Sequence, residues 1–171
     1  MVLYRIDPER SRVWIDAKSS LHPIRAETAG VEGSFEADML VGGLVDPGVP
    51  PHVRLELPVR KLSSGNPLYD REMQRRIDAR RFPTITGVLT DMKETGRTGS
   101  YRVTGQVSFR GVTRSVEDEM SLSMADQGTL RLEGAHVFDI RDFGMTPPRI
   151  LTLRVHPEVS VRVSLLASRE G

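Results

Sequence analysis

The stretch YRVTGQVSFRGVTR, residues 101–114, decides the fold of this chain. From Tyr101 to Phe109 every second residue is apolar or glycine, and the residues between them are polar or charged. Such alternation is typical of a β-strand with one face toward a core and the other toward water. Arg110-Gly111 then interrupts the pattern, and glycine allows the positive φ of a tight hairpin. The stretch therefore predicts two antiparallel strands joined by a short turn.

The same period of two recurs along most of the chain. It is present in residues 13–17, 31–39, 53–59, 116–124, 130–138 and 159–165. Short turns separate these segments, such as Asp126-Gln-Gly128, and the glycine- and proline-rich residues 42–51 are predicted to form a loop. About eight strands joined by short turns predict an all-β antiparallel sandwich or barrel.

One segment departs from this rhythm and predicts a single short helix over about residues 67–78. Asn66 is a favourable N-cap residue, and Pro67 suits the first helical position, where its missing N–H would have no partner. Tyr69 and Met73 follow at the spacing of one helical face.

Composition and length exclude several classes of protein. The 171 residues contain no linker or repeat and predict one domain spanning residues 1–171. Lys and Arg number 24 and Asp and Glu 23, so the net charge of +1 gives no reason to expect nucleic acid as a partner. The absence of cysteine excludes disulfides, a zinc–cysteine site and a cysteine nucleophile.

The N-terminal residues 1–8 have neither the basic region nor the apolar stretch of a signal peptide. No window approaches the roughly 18 apolar residues of a transmembrane helix. The sequence therefore predicts a cytoplasmic protein that does not span a membrane.

No motif predicts a catalytic residue, a metal site or a cofactor. Asp142-Phe-Gly144 spells a kinase motif, but the other kinase motifs are missing. The four histidines are not spaced as metal ligands on one helical face. His136 lies in the inward register and is interpreted as a hydrogen-bonded core or cavity histidine, whereas Glu117-Asp-Glu119 is interpreted as a solvated strand face or turn.

Trp14 is the only tryptophan and falls in the outward register of its segment. Its expected role is packing under the helix or at a subunit contact, which makes a homodimer possible.

Several short motifs, taken in order, resemble the YceI-like family of polyisoprenoid-binding proteins. They are Tyr4-Arg-Ile-Asp7 with Ser11 and Val13, Gly33-Ser-Phe35, Asp70-Arg71, Phe82-Pro-Thr-Ile85, the stretch 101–114, and Asp142-Phe-Gly144. Their order and spacing cover essentially the whole chain. The resemblance implies an eight-stranded antiparallel lipocalin-like barrel that carries or stores a long apolar chain, such as a polyisoprenoid, an isoprenoid quinone or a fatty-acyl amide, and that is not an enzyme.

The dimensions of such a barrel suit an extended chain. Strands of about nine residues at roughly 3.3 Å each, tilted by about 40°, give a barrel on the order of 23 Å tall. The inward apolar residues are the candidate ligand-binding set. They are Val13, Ile15, Phe35, Leu55, Leu57, Val103, Val107, Phe109, Leu122, Leu132, Phe138, Val161 and Val163. The inward glycines Gly33, Gly105 and Gly134 either leave space for a ligand or let the strands bend.

Two other functions are consistent with the sequence. A barrel filled by its own side chains would be an interaction or stress-response module without a lipid ligand. A small-barrel enzyme would need titratable groups that converge in the cavity, and His136 and Asp142 are the candidates.

Overall fold

The hairpin at residues 101–114 forms as its alternation predicts. Strand β9 (Ser100–Phe109) pairs antiparallel with strand β10 (Val112–Asp126), from Phe109–Val112 at the turn to Ser100–Ser121. Arg110 and Gly111, between the strands, have φ angles of 53° and 75°. Positive φ at both central residues matches the right-handed twist of the flanking strands.

The computed structural model describes residues 1–42, 44–46 and 48–170. The other strands are β1 (Val2–Ile6), β2 (Arg12–Ser19), β3 (Ile24–Thr28), β4 (Glu32–Ala37), β5 (Met39–Leu40), β6 (Leu44–Val45), β7 (His52–Pro58), β8 (Thr84–Glu94), β11 (Thr129–Asp139), β12 (Arg149–Ile150) and β13 (Leu153–Arg169). Helix α1 spans Pro67–Ile77, and short 3-10 helices span Val59–Lys61 and Ile140–Phe143.

Eight strands close into an antiparallel barrel. Their order is β1-β4-β7-β8-β9-β10-β11-β13, and β13 pairs again with β1. Strands β2 and β3 extend this sheet from β13, and β5 pairs with β6 in a separate short hairpin. The predicted eight-stranded antiparallel barrel with one short helix is therefore confirmed.

The predicted loop over residues 42–51 is only partly a loop. Leu44 and Val45 pair with Met39 and Leu40 in the β5–β6 hairpin. Gly43 and Pro47 lie outside the described residues, as does Gly171 at the end of the predicted domain.

Closure depends on the 17 residues of β13, which pair with β11 along one edge and with β2 and then β1 along the other. Residues 155–164 pair with β2, and residues 167–169 pair with β1. At the junction the fully buried Ser11 takes the place of a strand residue, since its Oγ accepts a hydrogen bond from the Leu166 N–H at 3.0 Å. The Asp7 N–H donates to the Leu166 carbonyl at 2.8 Å. Both backbone groups of Leu166 are thus bonded across the break between β1 and β2.

Helix α1 closes one end of the barrel. Asn66 caps it by accepting hydrogen bonds from the N–H groups of Leu68 and Tyr69, and Asp78 ends it in the left-handed conformation. Tyr69 and Met73 pack against a buried cluster from β2, β3, β12 and β13. In the described ranges no helix is long and apolar enough to span a membrane.

A large cluster of buried side chains fills the opposite end of the barrel. Phe35, Leu130 and Leu165 are at most 1% exposed there. The hydroxyl of Tyr101 accepts a hydrogen bond from the Val45 N–H at 3.1 Å, which attaches the β5–β6 hairpin to this end.

Trp14 lies on the outer face, as its register predicts, but it does not pack under the helix. Arg162 is the cross-strand neighbour of Trp14 on β13, and its guanidinium lies 4.4 Å from the centre of the indole ring. The possible homodimer stays a prediction.

Gly33 allows β4 and β7 to approach each other closely. A Cβ atom at Gly33 would lie 2.0 Å from the carbonyl oxygen of Arg54. Gly33 was expected either to leave space for a ligand or to let the strands bend, and its surroundings support a role in strand geometry.

We expect Ser11→Ala to lower the free energy of unfolding by about 1–3 kcal/mol, because the buried N–H of Leu166 loses its acceptor. Ser160→Ala, at an exposed position on β13, the strand of Leu166, is the matched control. Urea denaturation measures both effects, and equal effects would contradict this role for Ser11.

We expect Gly33→Ala to destabilise the fold by about 2 kcal/mol, since the new methyl group must displace the backbone of β7. Gly87→Ala is the control, because a Cβ there meets nothing within 4 Å. Thermal denaturation of the two variants should separate them clearly. A Gly33→Ala protein as stable as the control would disprove the close approach.

Candidate functional site

The barrel contains a cavity of about 400 Å³. This volume falls within the roughly 300–1,000 Å³ typical of small-molecule sites. All eight barrel strands, together with β2, β3 and α1, contribute side chains to its walls. Most of these side chains are aliphatic or aromatic, so the interior offers apolar contact and few polar groups.

Twelve of the thirteen predicted ligand-binding residues line this cavity. They are Val13, Ile15, Phe35, Leu55, Leu57, Val103, Val107, Phe109, Leu132, Phe138, Val161 and Val163. Their placement follows from strand alternation, and their contact with a ligand stays a prediction.

Leu122 is the exception, because it is not among the residues that line the cavity. It faces inward, pairs with Leu132 and is 3% exposed, but it lies in the packed end of the barrel. Alternation along a strand indicates which face a residue occupies. It does not indicate how far along the strand the cavity extends.

Helix α1 supplies wall residues that the strand pattern could not predict. Tyr69, Met73 and Ile77 line the cavity from one helical face, and Asp70 and Gln74 lie beside them. Asp70 is bonded locally, since its Oδ1 accepts hydrogen bonds from the Ser64 hydroxyl at 2.6 Å and the Ser64 N–H at 2.9 Å. The helical spacing of Tyr69, Met73 and Ile77 was the available signal.

Three glycines line the cavity, and they do so for different reasons. Gly87 opens space, because a Cβ there meets nothing within 4 Å. A Cβ at Gly105 would lie 2.9 Å from the Val88 carbonyl oxygen, and one at Gly134 would lie 3.0 Å from Cγ of Met120. Gly105 and Gly134 therefore also permit close packing of neighbouring strands.

A polar pair interrupts the apolar wall. Nδ1 of His136 lies 2.7 Å from Oδ2 of Asp118, and both residues line the cavity. The backbone ladder between β10 and β11 runs from Asp126–Thr129 to Met120–Gly134. Two residues further along, the Asp118–His136 hydrogen bond links the two strands through their side chains.

The interpretation of residues 117–119 as a wholly solvated segment was wrong for Asp118. Glu117 does lie on the outer face, where Arg102 pairs with it at 3.2 Å. Asp118 shares the inward register of Val116 and Met120, and this parity was the signal that could have placed it. The run of three acidic residues obscured that signal.

Opposing influences set the pKa of Asp118. Burial raises it, while the hydrogen bonds from His136 and from the Glu119 N–H lower it, as do the charges of His136 and Arg102. The net effect holds the pKa of Asp118 below the usual 3.8. Asp118 is therefore a carboxylate at neutral pH.

Asp142 is not the partner of His136. It is exposed in the 3-10 turn Ile140–Phe143 and does not line the cavity. His136 and Asp142, the first candidates for titratable groups that converge in the cavity, therefore do not meet there, whereas His136 and Asp118 do. Among the residues that the structure describes, no group of three or more His, Asp or Glu side chains is placed to hold a metal ion.

The sequence matches a family model described as the YceI-like domain over residues 4–167. BcnA of Burkholderia cenocepacia has a similar structure, with a TM-score of 0.78 and 19% identity over 95% of this chain and 99% of that one. A polyisoprenoid binding domain from Saccharophagus degradans, implicated in plant cell wall breakdown, has a TM-score of 0.79 and 11% identity over 99% of this chain and 100% of that one.

The YCEI protein of Campylobacter jejuni is also similar, with a TM-score of 0.59 and 13% identity over 80% of this chain and 81% of that one. No match was found among curated proteins. At these identities, the structural likeness shows a shared fold.

We expect the Asp118→Asn variant to lose less folding stability than the wild-type protein as the pH is lowered into the acid range. Because the folded pKa lies below 3.8, the ionised pair stabilises the fold above that pH, and this contribution is lost as pH falls through the folded pKa. The pair is partly exposed, so the contribution is roughly 0.5 kcal/mol.

Thermal denaturation across the acid range measures this effect. Asp126→Asn, at an exposed position on the same strand, is the control. Parallel acid profiles of Asp118→Asn and the wild type would contradict the stabilising role of the pair.

Proposed function

The chain belongs to the YceI-like family, and we propose that its barrel binds a long apolar chain in the internal cavity. The observation that carries the proposal is the cavity of about 400 Å³ with largely apolar walls inside a closed barrel. The role of the wall residues is to remove the chain from water and to match its shape. The polyisoprenoid binding of the Saccharophagus degradans domain supports the same class of ligand here.

The energetics of burial support useful affinity without strong polar contacts. Each methylene moved from water into the cavity contributes about 0.8 kcal/mol. A dozen would contribute on the order of 10 kcal/mol, against an association cost of at least about 4 kcal/mol. The difference of about 6 kcal/mol corresponds to a dissociation constant of a few tens of micromolar, and longer chains would bind more tightly.

The ligand we propose is a polyisoprenoid, an isoprenoid quinone or a fatty-acyl amide, which the protein carries or stores without changing it chemically. The filled-barrel alternative requires the large inward side chains to meet at the barrel axis, and the cavity argues against it. The enzyme alternative requires two or more titratable groups that converge in the cavity. Its first candidates, His136 and Asp142, do not meet there, whereas Asp118 lies beside His136. A cytoplasmic location and a homodimer stay predictions from the sequence.

We expect Val107→Arg to abolish binding, because the charged side chain would enter the apolar cavity. Val137→Arg is the matched control, since Val137 is 58% exposed on the outer face of β11. Native mass spectrometry before and after addition of prenyl and acyl lipids measures occupancy. Equal occupancy in the two variants would remove Val107 from the binding site.

A second variant keeps the test informative if Val107→Arg fails to fold. Gly87→Leu places a side chain in the open space beside Gly87 and should reduce occupancy several-fold while the barrel remains folded. Failure of the wild-type protein to retain or bind any such lipid would contradict the proposed function.

A further inference from the structure

The Asp118–His136 pair places a hydrogen-bonded imidazole in the wall of a largely apolar cavity. Each oxygen of the Asp118 carboxylate has a hydrogen-bond partner. Its Oδ2 faces Nδ1 of His136 at 2.7 Å, and its Oδ1 accepts from the Glu119 N–H at 2.8 Å. An ionised carboxylate can only accept hydrogen bonds. The imidazole proton therefore lies on Nδ1.

In the neutral form of His136, a proton on Nδ1 leaves Nε2 as a hydrogen-bond acceptor. In the part of the chain that the structure describes, no group donates a hydrogen bond to Nε2. The ring of Phe138 packs edge-on against the imidazole, with the centroids 4.6 Å apart, and this contact restricts rotation of His136.

The neighbours of the pair are apolar. Asp118 lies opposite Val103 in the β9–β10 ladder, and His136 lies opposite Val161 in the β11–β13 ladder. Both valines line the cavity. An apolar chain that fills the cavity would displace water from Nε2 and leave this acceptor without a partner. A ligand hydroxyl placed there would satisfy it.

We propose that the Asp118–His136 pair is a hydroxyl-binding subsite and that the preferred ligand is a long apolar chain bearing a hydroxyl group. The ligand O–H donates to Nε2 of His136, while Asp118 holds the imidazole in the tautomer that accepts. This inference rests on the proposed function, because it specifies which apolar chain the cavity selects.

The test compares two ligands with the same prenyl chain, one with a hydrogen-bond donor and one in which a methyl group replaces the hydroxyl hydrogen. Farnesol has a hydroxyl, and farnesyl methyl ether has the same chain without an O–H. Competition against the fluorescent apolar probe Nile red gives the affinity of each ligand for the wild-type protein. We expect farnesol to bind about 10-fold more tightly, which corresponds to one hydrogen bond inside an apolar cavity. A long-chain alkylphenol measured in the same way distinguishes an aliphatic from a phenolic hydroxyl.

Two variants assign the preference to the pair. His136→Phe removes the acceptor and should bring the two affinities together while the ether still binds. Asp118→Asn offers an amide N–H to Nδ1, which moves the imidazole proton to Nε2 and turns the acceptor into a donor. The preference should then shift toward the ether, and nitrogen NMR of the histidine ring should report the changed tautomer.

The outcomes separate this subsite from the proposed function. Equal binding of farnesol and the ether by the wild-type protein would overturn the subsite and leave apolar chain binding intact. An unchanged preference in His136→Phe would do the same. Failure of the wild-type protein to bind either ligand would overturn both the subsite and the proposed function.

Discussion

The barrel depends on the pairing of β13 with both β1 and β2. A sheet with free edges leaves backbone N–H and C=O groups without partners, and closure removes those edges. Here residues 7–11 separate β1 from β2, so the ladder along this edge of β13 is interrupted at Leu166. The Ser11 hydroxyl and the Asp7 N–H bond the backbone of Leu166 at that point. The barrel therefore stays closed although the chain turns between β1 and β2, and β2 and β3 extend the sheet from β13.

Two differently packed ends follow from this arrangement. One end is filled by large side chains such as Phe35 and Leu130, while the other is closed by α1. The cavity remains where inward side chains are shorter or absent, as at Gly87. Ligand space in this barrel thus results from uneven filling along the barrel axis.

Period-two alternation predicted the barrel strands β4, β7, β9, β10, β11 and β13 but not β1 and β8, and Asn66-Pro67 was enough to place the start of the helix. Both signals depend only on residues close together in sequence, because strand alternation and helix capping are set by the local backbone conformation. Leu122 shows the limit of this reasoning, because its face was predicted and its depth was not. Asp118 shows another limit, since its parity indicated the inward face while its charge indicated solvent, and its hydrogen-bond partner His136 lies on a different strand. The identities of 11–19% with proteins of the same fold agree with this view, because many sequences can meet the same alternation and turn requirements.

The position of β13 in the chain also affects when the barrel can become functional. Tyr4 pairs with Arg169, so the contacts that close the ring join residues far apart in sequence. Such contacts form slowly, because the entropy cost of closing a long loop comes before the strand pairing that stabilises the barrel. All other barrel strands precede β13, and a chain still being synthesised has no closed interior. Ligand loading is consequently a step that follows translation of the whole domain.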